Sequence, residues 1–342
     1  MSALRTIKRV AKAVKLAISP PAAIGIERAE YASPSLGDAP APEHAYTGEY
    51  EGRTYKLFSL LGHPRSGTNW TSAILERHPK VSVYGEFRFE ALCRAFEDMR
   101  AHPWHAAYYP PIKAISYQCQ QETFRRMVAG ASVRRPEAEW IGERTPRHLD
   151  VIIPGMPHFM VVRDPRDVIV SLAHQEFSKA LTNFNRPEYR DQLEPIRAGF
   201  EKDRDFFHKN PDRLLCVEGF VRHLAGKYAH HVGSDLRTLE RIERGEILAR
   251  VHVVRYERIH QDPEGQRAAM YRFLGLDPAE ALPLDEGSLS SPGFAKERPE
   301  EFYRKGRVGD WRTYFTPDAR KWFNAEAGEI LVRLGYETDL DW

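Results

Sequence analysis

Cysteine is scarce in this chain of 342 residues, which has three, at positions 93, 119 and 216. Three dispersed cysteines do not build a disulfide framework, and none of them forms the Cys-x-x-Cys spacing of a zinc ribbon. Such cysteine use is typical of a reducing compartment, so we expect a cytoplasmic protein. Histidine pairs with the spacing of known metal motifs are missing as well, and the sequence predicts no metal site.

Charge of one sign is not in excess, because 50 Lys and Arg residues face 48 Asp and Glu residues, for a net charge of +2. Proteins that bind nucleic acid usually carry a clear basic excess, and this chain does not. Apolar runs of the roughly 20 residues that cross a bilayer are also missing. The composition therefore speaks against a nucleic-acid partner and against a membrane-spanning protein.

Residues 1–18 nevertheless predict a basic amphipathic helix, since their apolar side chains recur at helical spacing. Its apolar residues are Leu4, Ile7, Ala11, Val14 and Ile18, and its cations are Arg5, Lys8, Arg9, Lys12 and Lys15. Such a helix either lies on an anionic membrane surface, which would make the protein peripheral, or docks as a terminal helix. Residues 19–50 follow as a predicted Pro-rich linker, and residues 51–342 as the folded domain.

Within that domain, short apolar runs alternate with helical stretches, which indicates an α/β fold with a parallel sheet of about five strands. The predicted strands are Tyr55–Leu61, Val81–Tyr84, Trp140–Ile141, Phe159–Val162 and Val251–Tyr256. The predicted helices are Asn69–Arg77, Phe89–Arg100, Arg166–His174, Leu214–His231, Leu236–Ile247 and Pro317–Leu334. Ser288–Thr316 is expected to be irregular, and long irregular segments are often functional.

The segment Gly62–Trp70 lies between a predicted strand and a predicted helix and has the features of an anion-binding loop. Gly62 and Gly67 allow backbone angles that aim several N–H groups inward, and the helix N-terminus adds partial positive charge. The spacing matches half of a Walker A loop, but Thr68 and Asn69 stand where that motif has Lys and Ser or Thr. The loop therefore suits phosphate groups better than metal-nucleotide chemistry.

Two further segments supply candidate anion ligands. Arg163 ends a buried strand and Ser171 lies two turns into the next helix, so both can face the carboxyl edge of the sheet. A structural ion pair between Arg163 and Asp167 is the alternative. Arg304, Lys305 and Gly306 form the other candidate, in which cations and backbone amides close over a phosphate.

Together these motifs resemble the sulfotransferases that use 3′-phosphoadenosine 5′-phosphosulfate (PAPS). In that family a loop like Pro64–Trp70 contacts the 5′-phosphosulfate, and an Arg followed eight residues later by a Ser holds the 3′-phosphate, here Arg163 and Ser171. The segment Arg304–Thr316 matches a third family motif. The resemblance implies a fold like that of the P-loop nucleoside-triphosphate hydrolases, with PAPS as co-substrate. The implied binding residues are Arg65, Ser66, Gly67, Thr68, Asn69, Trp70, Arg163, Ser171, Tyr256, Arg304, Lys305 and Gly306, with Trp70 and Tyr256 at the adenine.

The sequence departs from the cytosolic small-molecule enzymes of this family. Arg65 replaces their loop Lys, and their catalytic Lys-Thr-His segment is missing. Gly142–Pro146 instead resembles the Gly-Glu-Lys-Ser/Thr-Pro of carbohydrate and bacterial sulfotransferases, in several of which a Glu after the second strand is the base. This implies Glu86 as general base, with His148 as the rival.

Sulfuryl transfer depends mostly on positioning and electrostatics, so Arg65 and Arg144 are expected to stabilise the developing negative charge. Trp104, Tyr108 and Tyr109 could stack on a sugar and favour a carbohydrate or glycolipid acceptor. The alternatives are a P-loop nucleotide-dependent kinase, a non-catalytic nucleotide-binding module and a membrane-surface scaffold.

Overall fold

The computed structural model describes residues 46–87, 89–102, 110–179, 186–284 and 306–342. The predicted N-terminal helix and most of the predicted linker lie outside these ranges. So do the candidate phosphate ligands Arg304 and Lys305 and the aromatic residues Trp104, Tyr108 and Tyr109. None of the described helices is long and apolar enough to span a membrane.

A six-stranded sheet forms the centre of the described structure. The strands are β1 (Thr47–Tyr50), β2 (Arg53–Gly62), β3 (Val81–Tyr84), β4 (Trp140–Arg144), β5 (Pro157–Val162) and β6 (Arg250–Arg255). Their order is β3-β4-β2-β5-β6, and every pair along it is parallel. β1 alone pairs antiparallel, with β2. The expected parallel sheet of about five strands is confirmed.

The helices follow the strands along the chain, as the crossover connections of a parallel sheet require. They are α1 (Thr68–Leu75), α2 (Phe89–Ala101), α3 (Pro110–Gly130), α4 (Pro165–Ser178), α5 (Pro187–Lys202), α6 (Phe206–Lys209), α7 (Glu218–Glu243), α8 (Tyr256–Gln261), α9 (Pro263–Phe273) and α10 (Pro317–Arg333). A single turn of 3-10 helix at Asp310–Thr313 lies within the segment that was expected to be irregular.

β2 shows why the sheet needs cover on both faces. Phe58 and Leu60 pack on one face with α1 and α9, whereas Leu57 and Leu61 point to the other face, towards separate groups of buried residues. All four side chains are fully buried. A central strand that is apolar on both faces is typical of a parallel sheet between helical layers.

Some of the predicted boundaries are wrong. Residues 19–50 cannot all be linker, because Thr47–Tyr50 forms β1 on the sheet. Leu214–His231 and Leu236–Ile247 were expected as two helices, but one helix, α7, runs through both from Glu218 to Glu243, and residues 214–217 precede it. Gly233 lies inside α7 against Ile330 of α10, and this packing supports a glycine that would otherwise weaken the helix.

Candidate active site

The candidate site lies at the carboxyl ends of β2 and β5, where open α/β sheets bind ligands. β2 is flanked by β4 on one side and by β5 on the other, so the connections diverge at this point. Residues 63–67, which we call the phosphate loop, follow β2, and α1 begins at Thr68. A cavity of about 300 Å³ opens here and is lined by residues from this loop, from α4 and from the segment Gly306 to Asp310, and by Arg163 just after β5.

The loop after β2 takes a conformation that needs left-handed backbone angles. Gly67 has φ of 103°, and Arg65 has φ of 72°, which is uncommon for a residue with a side chain. A Cβ on Gly67 would lie 2.4 Å from Cδ2 of Tyr256, so only glycine fits there. The loop is therefore held tightly against the residue that follows β6.

Arg65 connects this loop to α4. Its Nε donates a hydrogen bond of 3.0 Å to Oγ of Ser171, which lies two turns into that helix. Both residues line the cavity, as do Gly67, Thr68 and Asn69 of the loop. Two of the predicted anion-binding segments thus meet on one side of the cavity.

Arg163 lies between three segments that are far apart in the sequence. Its Nη1 donates to the carbonyl oxygen of Arg65 at 3.2 Å, and its Nη2 donates to that of Arg307 at 3.0 Å. The guanidinium carbon lies 4.3 Å from the ring centroid of Tyr256. With 8% of its surface exposed, Arg163 is a nearly buried cation at the cavity wall.

Some buried polar atoms around the loop have no hydrogen-bond partner among the described residues. They are Oγ of Ser66, Oδ1 of Asn69 and Nε of Arg163. Burying such atoms without a partner costs free energy, so a site that leaves several of them open is suited to a polar ligand. Arg163 lines the cavity, whereas the predicted ligand Ser66 is buried in the loop and is not among the lining residues.

Two aromatic side chains line the same cavity beside the cations. Tyr256 donates from its hydroxyl to the carbonyl oxygen of Gly306 at 2.8 Å. Trp70 packs edge-on against it, with ring centroids 5.1 Å apart. Both rings are nearly buried, which makes one wall of the cavity apolar and suited to a flat ring.

Asp167 holds the segment after Gly306 in place. Its carboxylate accepts from the backbone N–H groups of Gly309 and Trp311 at 2.7 and 2.9 Å. Its Oδ2 is 4.0 Å from Nη2 of Arg163, at the outer limit of an ion pair. Burial raises the pKa of this carboxyl to about 6, although Arg163 and the two backbone donors act in the opposite direction. The sequence suggested Asp167 only as a partner of Arg163 and gave no sign of its role in the turn.

Glu86 and Arg144 lie on the part of the cavity wall that the first strands supply. β3 and β4 pair in parallel with Tyr84 opposite Glu143, so the residues just after these positions lie side by side. Nη2 of Arg144 lies only 2.9 Å from where a Cβ on Gly85 would be. Glu86 is exposed to solvent at this wall.

His148 does not line the cavity. Its ring stacks on His231 with centroids 4.1 Å apart, and its Nδ1 lies 3.5 Å from Oδ1 of Asp235. Pro146, two residues earlier, does line the cavity. The chain therefore turns away from the cavity between these two residues.

Gln175 and Lys179 line the cavity, and the sequence reasoning missed them. They follow Ser171 at spacings of four and eight residues, the repeat that keeps side chains on one face of a helix. Extending that repeat from Ser171 along α4 would have identified both residues. They add an amide and a cation to the wall.

The matches to known families follow this geometry. The family model described as "Sulfotransferase domain" matches residues 159–331, just over half of the chain, and the one described as "Sulfotransferase family" matches residues 58–226. This chain belongs to the sulfotransferase family. The two matches together cover the phosphate loop, Arg163, Ser171 and Tyr256, so the resemblance inferred from those residues is confirmed.

Similar proteins have been described in bacteria and in animals. The nodulation protein NoeE of Sinorhizobium fredii (strain NBRC 101917 / NGR234) is 23% identical over 300 residues, which cover 82% of this sulfotransferase and 66% of NoeE. Our chain thus spans slightly less than two thirds of that relative. Mouse sulfotransferase SULT7A1, solved in complex with PAP, has 15% identity and a TM-score of 0.43 over 84% of this chain and 95% of its own. A sulfotransferase from Alicyclobacillus acidocaldarius has 16% identity and a TM-score of 0.33 over 82% and 95%.

Proposed function

We propose that this protein transfers the sulfuryl group of PAPS to a hydroxyl of an acceptor. The observation that carries the proposal is the convergence of Arg65, Arg163 and Ser171 on one cavity, beside the aromatic wall of Trp70 and Tyr256. Two groups of anion ligands next to a flat apolar wall match a nucleoside with a phosphate at each end. Membership of the sulfotransferase family supports the same ligand.

In the proposed reaction the acceptor oxygen attacks sulfur in line with the departing 5′-phosphate. A bond forms between this oxygen and sulfur, while the bond from sulfur to the 5′-phosphate oxygen breaks. The products are a sulfate ester and 3′-phosphoadenosine 5′-phosphate (PAP). Arg65, the loop N–H groups and Arg144 stabilise the negative charge on the sulfuryl oxygens and on the leaving phosphate.

The acceptor hydroxyl must also lose its proton, and we propose Glu86 as the general base. Glu86 lines the cavity next to Arg144 and is open to solvent, so an acceptor can reach it. His148 was the rival, but its ring packs against His231 and it is not among the lining residues. A general base must come within hydrogen-bond distance of the proton that it removes, which favours Glu86.

For the acceptor we propose a carbohydrate or a glycolipid. The support is the resemblance of Gly142–Pro146 to the corresponding segment of carbohydrate and bacterial sulfotransferases. Arg144 and Pro146 of that segment lie on the cavity wall. A membrane-bound glycolipid would also give the basic residues 1–18 a role at an anionic surface, and pelleting of the full chain with vesicles rich in anionic lipid would test this.

A nucleotide-dependent kinase remains the alternative reaction, because the loop shares part of the Walker A spacing. Calorimetric titration of the full chain with PAP and, separately, with ATP and Mg²⁺ distinguishes the two. The proposed function predicts tight binding of PAP and weak binding of the ATP–Mg²⁺ complex. Tight binding of ATP–Mg²⁺ without binding of PAP would refute it.

Catalysis and the acceptor class are tested together by incubating the protein with labelled PAPS and a panel of hydroxyl compounds. Glycans, glycolipids and simple phenols form the three arms of the panel. We expect label to appear in a glycan or a glycolipid. Transfer to phenols alone would leave the reaction standing but would contradict the proposed acceptor, and PAP binding without any transfer would point to a non-catalytic module.

A further inference from the structure

A cluster of two histidines and one aspartate lies behind the phosphate loop, outside the residues that line the cavity. His148 follows β4, while His231 and Asp235 lie one turn apart on α7. His63, the first residue of the phosphate loop, contacts this cluster, with its ring centroid 5.0 Å from that of His231. The proposed sulfuryl transfer makes no use of these groups.

The polar atoms of the cluster converge on one another. Nδ1 of His148 lies 3.5 Å from Oδ1 of Asp235, and Nε2 of His231 lies 3.4 Å from Oδ2 of the same carboxylate. One potential ligand atom from each residue falls within 4.8 Å of the others. His231 is 9% exposed, and neither Nδ1 of His148 nor Nε2 of His231 has a hydrogen-bond partner among the described residues.

These separations fit metal coordination better than hydrogen bonding. An N–H···O hydrogen bond has a donor–acceptor distance of about 2.7–3.2 Å, which is shorter than either separation in the cluster. Zinc binds imidazole nitrogen and carboxylate oxygen at about 2.0–2.2 Å, so two ligand atoms on a tetrahedral ion are about 3.3–3.5 Å apart. Each histidine nitrogen lies at that spacing from one oxygen of the Asp235 carboxylate, Nδ1 of His148 from Oδ1 and Nε2 of His231 from Oδ2.

The charge of Asp235 points the same way. Its side chain is 2% exposed, and its ion-pair partners within the described part of the chain are the two histidines. Its hydrogen bond with the N–H of Leu149, at 2.8 Å, leaves the charge in place. The nearby Arg147 is directed instead to Glu143 and Asp150. A buried carboxylate needs a compensating cation, and the cluster holds none as it stands unless a histidine is protonated.

We propose that His148, His231 and Asp235 form a binding site for one zinc-type divalent transition-metal ion. Two neutral imidazoles and one carboxylate are a common ligand set for such ions. The side chain of His148 is 39% exposed, so a water molecule can reach the remaining coordination position. The site is separate from the sulfuryl-transfer centre and does not depend on the proposed function.

The metal would have a structural role. It would join α7 to the segment after β4, which follows Arg144 and carries Pro146 to the cavity wall. Ligands drawn from distant parts of a chain are ordered only in the folded state, so metal binding adds to the stability of that state. The reaction chemistry itself gains no metal-bound step from this site.

The test is titration of the metal-free full chain with zinc chloride, followed by calorimetry and by thermal unfolding. His148→Gln removes one ligand at a partly exposed position, so the variant is expected to fold. His230→Gln is the matched control, because His230 is exposed and lies next to His231 on α7 but supplies no ligand. We expect one zinc ion per chain in the wild type and in the control, and about 100-fold weaker binding or more in His148→Gln.

A second variant and a second metal distinguish binding at the proposed site from zinc binding elsewhere on the surface. Asp235→Asn should weaken binding as His148→Gln does, and Co²⁺ bound to the wild type should give the visible absorption of a four-coordinate ion. Magnesium should not raise the unfolding temperature as zinc does. Zinc binding that is equal in all variants, or no zinc binding at all, would overturn the proposal and leave a protonated histidine as the partner of Asp235.

Discussion

Arg163 contacts the phosphate loop and is also the proposed ligand of the 3′-phosphate. It donates to carbonyl groups of Arg65 and Arg307 and stacks on Tyr256, so it joins three segments at the cavity wall. Two of its three guanidinium nitrogens are committed to the protein, while Nε has no partner among the described residues. Nε is therefore the guanidinium donor that the described residues leave open.

We predict that Arg163→Ala weakens PAP much more than adenosine 5′-monophosphate, because Arg163 is the proposed ligand of the 3′-phosphate. The expected difference is at least about tenfold in Kd, or about 1.4 kcal/mol. Arg163→Lys keeps the charge but loses the fixed fork of donors, so its PAP affinity should lie between those of the wild type and Arg163→Ala. Arg126→Ala, at an exposed residue of α3, is the control. Equal losses for both ligands in calorimetry would mean that Arg163 does not recognise the 3′ end.

Glu86 gives a second prediction at this scale. Glu86→Gln should leave PAP affinity unchanged and lower kcat by about 10²–10⁴-fold, the range of general base catalysis. Glu97→Gln, at an exposed position of α2, should change neither quantity. Steady-state rates with labelled PAPS and a responsive acceptor provide the measurement. If His148 were the base, the loss would appear in His148→Gln and not in Glu86→Gln.

At the scale of elements, the phosphate loop before α1 approaches Tyr256, the first residue of α8, closely at Gly67. We predict that Gly67→Ala both destabilises the fold and abolishes PAP binding, since its Cβ would lie 2.4 Å from Tyr256. Gly245→Ala is the matched control, because Gly245 also has positive φ, of 73°, but nothing lies within 4 Å of its Cβ position. The control should lose about 1 kcal/mol in urea unfolding and keep PAP affinity. Normal PAP affinity in Gly67→Ala would contradict the proposed loop role.

The turn at Gly309–Trp311 gives a prediction about pH, because the buried Asp167 carboxyl accepts its N–H groups. Burial raises the pKa of Asp167 from 3.8 to about 6, so the folded chain binds this proton more tightly than the unfolded chain does. The resulting stabilisation is complete below about pH 3.8 and is lost as the pH rises through about 6. Asp167→Asn cannot titrate, so it lacks this contribution.

The pH effect is measured as the difference in unfolding free energy between the wild type and Asp167→Asn in urea. Between about pH 5 and about pH 7.5 the wild type should lose about 1.4 kcal/mol relative to the variant. A difference that stays constant over this range would mean that Asp167 has the same pKa in the folded and unfolded chain. The variant also exchanges a carboxylate for an amide in the turn, which should change its unfolding free energy by the same amount at both pH values.

Strands and helices with a clear local pattern could be predicted from the sequence, whereas those that depend on packing could not. Val81–Tyr84 was predicted to the residue because β-branched and aromatic residues lie between clear turn signals. β1 was missed because its four residues, Thr47–Tyr50, have no alternating apolar pattern and gain their strand conformation by pairing with β2. α3 was missed for a related reason, since only its packing against β1, β2 and α2 reveals which face is buried. Tertiary contacts decided these elements, and local pattern did not.

At the scale of the whole molecule, the sequence identified the anchors but not what joins them. Gly67, Arg163 and Ser171 were predicted from motifs, and all of them line the cavity. The hydrogen bonds of Asp167 to the turn and the His148–His231–Asp235 cluster could not be predicted, because they depend on backbone groups and side chains from distant segments. Spacing along the chain carries information about neighbours on one element, whereas these contacts arise only when several elements pack.

The last prediction follows from the arrangement of the cavity, whose proposed anion ligands come from separate elements of the sheet edge. One PAP molecule carries both phosphates, so once one phosphate is bound the other meets its ligands at high effective concentration. PAP should therefore bind far better than two separate nucleotides that carry one phosphate each. At about 100 times its Kd, PAP should add about 2.7 kcal/mol of stability, or roughly 4 °C in Tm for a chain of this length. Adenosine 5′-monophosphate and adenosine 3′-monophosphate, added together at the same concentrations, should give a much smaller rise in thermal unfolding scans. If the 5′-monophosphate alone matched PAP, the 3′-phosphate would have no pocket of its own, and the proposed orientation of the nucleotide between Arg65 and Arg163 would be wrong.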